Sequence, residues 1–306
     1  MPANEFTLIA RYFSAYGRGA AVELGVGDDC AILALAPHER LATSVDTVVA
    51  GRHFPEESLP EDVGFRAVAA AASDLAGMGA RPLGMTLALT LPEADELWLH
   101  SFSQGVAAAA VALELPLVGG DTTRGPLTIS VQVLGALPAG KALLRSGAQV
   151  GDGVYVSGTL GDAGGGLAIL EGRYQPEPEA AEYLERRFFR PLPPLALGAL
   201  LLDTASAAID ISDGLLADAG HIAAASGVRI EIDRECLPLS AALQAHPDRE
   251  QALAWALSAG DDYELCFCLP EGSAVPRGCT RVGAVLAGAG VVCAGAEGLV
   301  RGYQHF

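Results

Sequence analysis

The chain is poor in positive charge. Of its 306 residues only Lys141 is a lysine, and 19 lysines and arginines face 37 aspartates and glutamates, for a net charge of −18. Such a balance repels polyanions, which argues against nucleic acid or an anionic membrane as partner. It also removes any lysine-rich cradle for phosphate, and the pattern GxxxxGK[ST] occurs nowhere. The six cysteines, Cys30, Cys236, Cys266, Cys268, Cys279 and Cys293, form no CxxC pair and show no histidine at zinc-site spacing. Buried, reduced thiols are therefore expected. GxSxG is missing, and no serine, histidine or cysteine stands in the context of a nucleophilic triad. The most apolar stretch, Leu195–Leu202, is too short to span a bilayer. Residues Met1–Glu5 carry neither a basic region nor an apolar run, so no signal peptide is expected and a reduced cytoplasm fits best.

Hydrophobic residues make up 51% of the chain and charged residues 18%, the balance of a well-buried globular protein long enough for two domains. Its most informative feature is a set of six short segments that place aspartate beside glycine, serine or another aspartate. These are Gly27-Asp28-Asp29, Ser44-Val45-Asp46, Ser73-Asp74, Gly119-Gly120-Asp121-Thr122-Thr123, Asp210-Ile211-Ser212-Asp213-Gly214 and Gly260-Asp261-Asp262. Most follow an apolar run that suggests a strand. Short carboxylates at the ends of packed elements can converge on hard cations, and magnesium wants oxygen ligands and commonly arrives with phosphates. A phosphate substrate in so acidic a chain would need such ions as bridges.

Strand-like and helix-like stretches mix in both halves, which gives an α+β chain of two domains, 1–137 and 138–306, with the boundary at Pro138-Ala139-Gly140-Lys141. Leu41–Val45 is expected as a strand ending at Asp46, 62–78 as a helix, Glu93–Leu113 as a second helix, and Leu115–Val118 as a strand leading into Gly119-Gly120-Asp121. The second half opens with a strand at Gly153–Ser157, a glycine-rich loop at Gly158–Gly166 and a helix to about Glu171; Tyr174–Glu179 is expected as a surface connection.

Taken singly, the candidate residues stay ambiguous. Asp74 falls in the last turn of a helix, where the macrodipole is negative; it is either a surface acid or one that a cation offsets. Asp213 could be an N-cap, whereas Asp210 follows an apolar run and needs a partner if buried. The glycines before Asp121 allow a tight turn or a close ligand. The amides of the Gly158–Gly166 loop could receive phosphate, although the loop is no dinucleotide fingerprint. His53 and Arg145 could grip a phosphate, or His53 could simply pack.

At these segments the sequence resembles the thiamine-monophosphate kinases, nearly end to end. The resemblance is carried by Gly25–Ala31, Ser44–Phe54, Ser73–Ala80, Gly119–Thr123, Arg145–Ala148, Ile209–Leu215, Gly260–Leu265 and the final Gly302–Phe306. It implies the PurM-like fold of the aminoimidazole ribonucleotide synthetase-like superfamily: two α+β domains with mixed sheets and packed helices, a ligand cleft between them, and a homodimer through the N-terminal halves. The implied reaction, the last step of thiamine diphosphate biosynthesis, converts ATP and thiamine phosphate into ADP and thiamine diphosphate. Carried over by residue, Asp29, Ser44, Val45 (through its carbonyl), Asp46, Asp74, Asp121, Asp210 and Asp213 would hold several magnesium ions. Gly120, Asp121, Arg145 and Ser212 would contact ATP, and His53, Asp261 and Tyr303 thiamine phosphate. The family commonly has glutamate where Asp261 stands and threonine where Val45 stands.

The implied chemistry agrees with the composition. A phosphate-monoester acceptor has a second pKa of about 6, so near neutral pH it needs no general base. Direct in-line transfer then rests on positioning and charge neutralisation, with no phosphoenzyme. The alternatives are another ATP-using synthetase of the superfamily or a non-catalytic metal- and nucleotide-binding module. A selenophosphate synthetase would need a reactive cysteine or selenocysteine with a nearby lysine early in the chain, and a hydrogenase-maturation relative a cysteine-bearing tail; this chain ends Gln304-His305-Phe306.

Overall fold

The computed structural model describes residues 5–296, 298–299 and 302. The chain forms two units, one of residues 1–75 and 80–141, the other of residues 76–79 and 142–306.

The first unit runs α1 (Glu5–Tyr12), β1 (Val22–Leu24), β2 (Ile32–Leu33), β3 (Glu39–Val49), α2 (Pro60–Met78), β4 (Arg81–Leu91), α3 (Glu96–Ala112), β5 (Leu117–Arg124) and β6 (Thr128–Pro138). Its sheet has the order β3-β6-β4-β5, with β4 and β5 parallel and the other pairs antiparallel. Alternation decides which face is buried. Val48, Met85, Leu87, Leu89, Ile129, Val131 and Val133 are buried, while Leu41 and Val45 of β3 are 52% and 61% exposed on the other face. The alanine-rich middle of α2 is buried throughout. A Cβ on Gly105 of α3 would stand 1.9 Å from the Glu61 carbonyl oxygen, so α2 and α3 approach as closely as they do only because that Cβ is missing. The Asp95 side chain accepts from the Leu97 and Trp98 N–H groups at 2.8 and 3.2 Å, which starts α3 at Glu96 rather than Glu93.

The second unit contains β7 (Gly153–Ser157), α4 (Asp162–Leu170), α5 (Pro178–Phe189), α6 (Leu195–Leu201), β8 (Ala207–Asp210), α7 (Leu215–Ser226), β9 (Arg229–Ile232), α8 (Ala241–Gln244), α9 (Arg249–Ser258), β10 (Leu265–Leu269), β11 (Cys279–Leu286) and β12 (Gly290–Cys293). The strand order is β12-β9-β11-β7-β10-β8, with only β12 and β9 parallel. The interior strand β10 is apolar on both faces, as a strand covered on both sides must be. Cys266 and Cys268 join a core with Leu215, Ile222, Leu253 and Leu257 of α7 and α9. Phe267 faces the opposite way, into a cluster with Leu143, Leu201 and Ala76. Burying a phenylalanine completely stabilises by roughly 1.5–3 kcal/mol. Both thiols are buried as expected, and burial raises the Cys266 pKa and pushes Cys268 up to about 12. Cys30 and Cys236, also expected to be buried, are exposed, because they lie in surface segments outside the core strands.

Candidate functional site

Three groups of site residues emerge, two in the first unit and one in the second. The first is built on β3 and α2. The strand does not end at Asp46: Thr47-Val48-Val49 is β-branched and pairs on with β6 to Thr128, so Asp46 lies within the strand. Ser44 and Asp46 share the face of the buried Val48, toward α2, while Val45 points the other way. Asp74 of α2 has a partner that its own neighbours could not supply: the Ser44 hydroxyl donates to its Oδ2. Burial pushes the Asp46 carboxyl up to about 6, and Asp74 adds to that. Both influences oppose ionisation, so an oxygen-only donor set is short of a cation, the environment that magnesium suits.

A pH dependence follows. Asp46 is raised in the folded chain from an ordinary value of 3.8. Its favourable contribution is therefore whole below about pH 4 and is lost as pH rises through about 6. Magnesium binding to the ionised pair should reverse that loss. Thermal melts of the metal-free protein with and without added magnesium are expected to diverge between pH 5 and pH 7. A magnesium-induced shift as large at pH 5 as at pH 7 would remove Asp46 from the site.

The second group lines a cavity of about 810 Å³, whose walls include Asp28, Asp29, Gly120 and Asp121 beside the apolar Phe13, Leu33 and Leu117. Of the two readings of Gly119–Thr123, a tight turn or a close ligand, the turn is excluded: all five residues belong to β5, paired with β4. A Cβ on Gly120 would meet the Leu87 carbonyl oxygen at 2.1 Å, so the glycine is required by strand packing. Asp121 pairs with Ala88, and through Ser130 its row runs to Thr47. Asp121 is thus three strands from β3 and of opposite parity to Asp46, so the ladder does not set these two carboxylates side by side. The His53 imidazole accepts the Val49 N–H at Nδ1 over 3.0 Å, which places the ring proton on Nε2.

The third group sits where β8 hands over to α7. Asp210 is buried at the strand's end, Ser212 and Asp213 are half-buried, and Gly214 is the helix's N-cap residue. The loop carrying Asp261 lies against them: the Asp261 N–H donates to the Ser212 carbonyl at 2.9 Å and the Tyr263 N–H to the Ile211 carbonyl at 2.8 Å. Asp261 and Tyr263 have φ of 61° and 50°, and the Tyr263 hydroxyl donates to Asp261 Oδ1 at 2.9 Å. Left-handed backbone at two non-glycine residues marks a locally strained, tightly held loop. Arg145 is exposed, its carbonyl accepting from the Ser226 hydroxyl at 3.2 Å. Tyr303 lies outside the described residues.

Sequence reasoning missed Asp218. Burial pushes its carboxyl up to about 8, and Asp210 and Asp213 raise it further against the amides that donate to it. One ligand atom each from Asp213, Asp218 and His221 lie within 4.8 Å of one another. The only local signal is an acid in the first turn of a helix whose N-cap is a glycine.

The phosphate reading of the glycine-rich loop is overturned. The Gly161 N–H donates to Asp262 Oδ2 at 2.7 Å and the Ala163 N–H to Oδ1 at 3.4 Å, so a carboxylate of the chain itself occupies the start of α4. The glycines that follow serve packing, against Trp255 at Gly164, Leu184 at Gly165, and Leu184 and Phe188 at Gly166.

Residues 27–137 match the AIR synthase related protein, N-terminal domain, and residues 149–301 the corresponding C-terminal domain. The thiamine-monophosphate kinase of Salmonella typhimurium is 51% identical, over 89% of this chain and 84% of its own. That of Escherichia coli K12 is 46% identical over 100% and 99%. The solved structure described as AaThiL complexed with AMPPCP and TMP superposes with a TM-score of 0.82 at 34% identity, covering 89% of each chain. With this fold, these acidic groups and these relatives, the chain belongs to the thiamine-monophosphate kinase family.

Proposed function

We propose that the chain transfers the γ-phosphoryl group of ATP to thiamine monophosphate, giving ADP and thiamine diphosphate. The observation that carries this reading is the likeness to thiamine-monophosphate kinases over the length of the chain. Asp29, Ser44, the Val45 carbonyl, Asp46, Asp74, Asp121, Asp210 and Asp213 would hold magnesium, which when bound neutralises phosphate charge. The cavity beside Asp29, Gly120 and Asp121 offers an apolar wall for a base and carboxylates toward its phosphates. Arg145 and Ser212 would contact ATP. His53, with its proton on Nε2, can donate to the acceptor phosphate. Asp261, fixed by Tyr263, would meet the cationic end of thiamine phosphate, and Tyr303 would complete that pocket.

A homodimer through the first units fits the uncovered sheet face that carries Leu41, Thr43, Val45 and Thr47. Cytoplasmic residence is the accompanying proposal; among the described residues no helix is long and apolar enough to cross a membrane. Purified protein given ATP, magnesium and thiamine monophosphate is expected to form thiamine diphosphate and ADP in equal amounts, and to form none in excess EDTA. ADP without thiamine diphosphate would overturn the acceptor, and full activity in EDTA would overturn the metal reading.

A further inference from the structure

Asp218 is a buried carboxylate to which no role has fallen so far. It is 2% exposed, and its Oδ2 accepts from three successive backbone N–H groups, those of Ser212, Asp213 and Gly214, each at 3.1 Å. A helix start leaves its first amides without internal partners, and a side chain at the N-cap commonly satisfies one or two. Here the N-cap is Gly214, with φ of 112° and no side chain to offer. Asp218, the fourth residue of α7, instead reaches back to the N-cap amide of Gly214 and to the two loop amides before it. Such a concave run of N–H groups is an anion site, and the chain fills it with its own carboxylate. A substrate phosphate is thereby kept off these amides, while the loop that carries Ser212 and Asp213 is held in one conformation.

We propose that Asp218 is a positioning residue that fixes the Ser212–Gly214 backbone so that Ser212 and Asp213 are presented to the magnesium nucleotide, and that it is not itself a metal ligand. The inference rests on the kinase reading above. Against the rival, a ligand set of Asp213, Asp218 and His221, stands the engagement of one Asp218 oxygen by all three amides.

Two variants separate these roles. Asp218→Asn keeps an oxygen for the amides and removes the charge a ligand would need. Asp218→Ala removes both. Asp218→Asn is expected to keep kcat and the magnesium concentration for half-maximal rate within about threefold of wild type. Asp218→Ala is expected to lower kcat by about 100-fold, the cost of a small misplacement of reacting groups. It should raise the KM for ATP. Hydrogen exchange at residues 212–214, which needs no activity, should be faster in Asp218→Ala and near wild type in Asp218→Asn. An Asp218→Asn enzyme that needs at least tenfold more magnesium would make Asp218 a ligand and overturn the proposal. So would an Asp218→Ala enzyme with wild-type kinetics or unchanged exchange. Should Asp218→Ala not fold, the asparagine variant alone decides between the two roles. Should wild type form no thiamine diphosphate, the kinase reading fails, and the exchange comparison still tests the clamp.

Discussion

An Asp74→Asn enzyme is expected to turn over about 100- to 1,000-fold more slowly than wild type, the usual cost of losing one preorganised charge-stabilising group, while its metal-free form melts no lower. Asparagine keeps the shape of the side chain and still accepts the Ser44 hydroxyl through its remaining oxygen. What disappears is a negative charge near the C-terminal end of α2, where the helix dipole already disfavours one. The neighbour that helps to raise Asp46 disappears with it. Activity and stability should therefore move in opposite directions, a pattern that loss of packing cannot produce. Steady-state kinetics beside thermal melts would show it. A wild-type rate would reduce Asp74 to a surface acid, and a lowered Tm accompanying the lost rate would place the effect in the fold.

The second large effect is expected within the second unit. Arg187 of α5 is the cation of a buried network in which its guanidinium meets Glu264 at 3.0 Å and Asp162 at 3.5 Å. Glu264 also accepts the Ser157 hydroxyl at 2.6 Å, and Asp162 accepts from Thr159 at 2.6 Å, Ser240 at 2.5 Å and Tyr183 at 3.1 Å. Asp262, fully enclosed, is pushed up to about 8 by burial. Arg187→Leu strands Glu264 and Asp162 without a counter-charge. Removing one partner of a buried ion pair costs about 3–5 kcal/mol. At roughly 2–4 °C per kcal/mol for a unit of this size, Tm should fall by about 10 °C. Pairing it with Glu264→Gln should restore part of the loss. Because Asp262 and Glu264 anchor the loop that holds Asp261 and Tyr263, surviving Arg187→Leu protein should also show a raised KM for thiamine monophosphate. An unchanged Tm would mean that protons, not Arg187, already neutralise these acids.

Much of this architecture was legible because its signals are local. Alternation along β6 and the apolar run of β10 announce strands, and the aspartate segments stand out against a chain with a single lysine. The misreadings arose where a partner distant in sequence decides the outcome. Asp46 looked like a strand end because aspartate breaks strands, yet pairing with β6 carries β3 past it. Gly119–Gly120 looked like a turn, yet the glycines let β5 pack against β4. The Gly158–Gly166 loop has the composition of a phosphate cradle, and only Asp262, about a hundred residues later, shows that its amides are taken. The helix α5 begins inside the expected connection Tyr174–Glu179, although Pro178 at its start and Arg186 and Arg187 in its last turn are ordinary helix signals. Asp218 carried almost no sequence signal, since its role depends on three backbone amides rather than on any motif.

Lys141 has a further consequence. It is exposed, follows Gly140 at a φ of 79°, and is the last residue of the first unit. A lysine-specific protease therefore has a single bond to cut in the entire chain, Lys141–Ala142, and that bond is the seam between the units. The cut does not follow the packing throughout: the first fragment keeps Ala76–Gly79, and Ala76 is fully buried among Leu143, Leu201 and Phe267 of the second unit. The two pieces would be severed in the backbone yet remain joined through a shared core. The scarcity of lysine that denies the protein a phosphate cradle thus also gives it one chemically unique side-chain amine, at the place where a tether, a fluorophore or a nick would report on both halves at once.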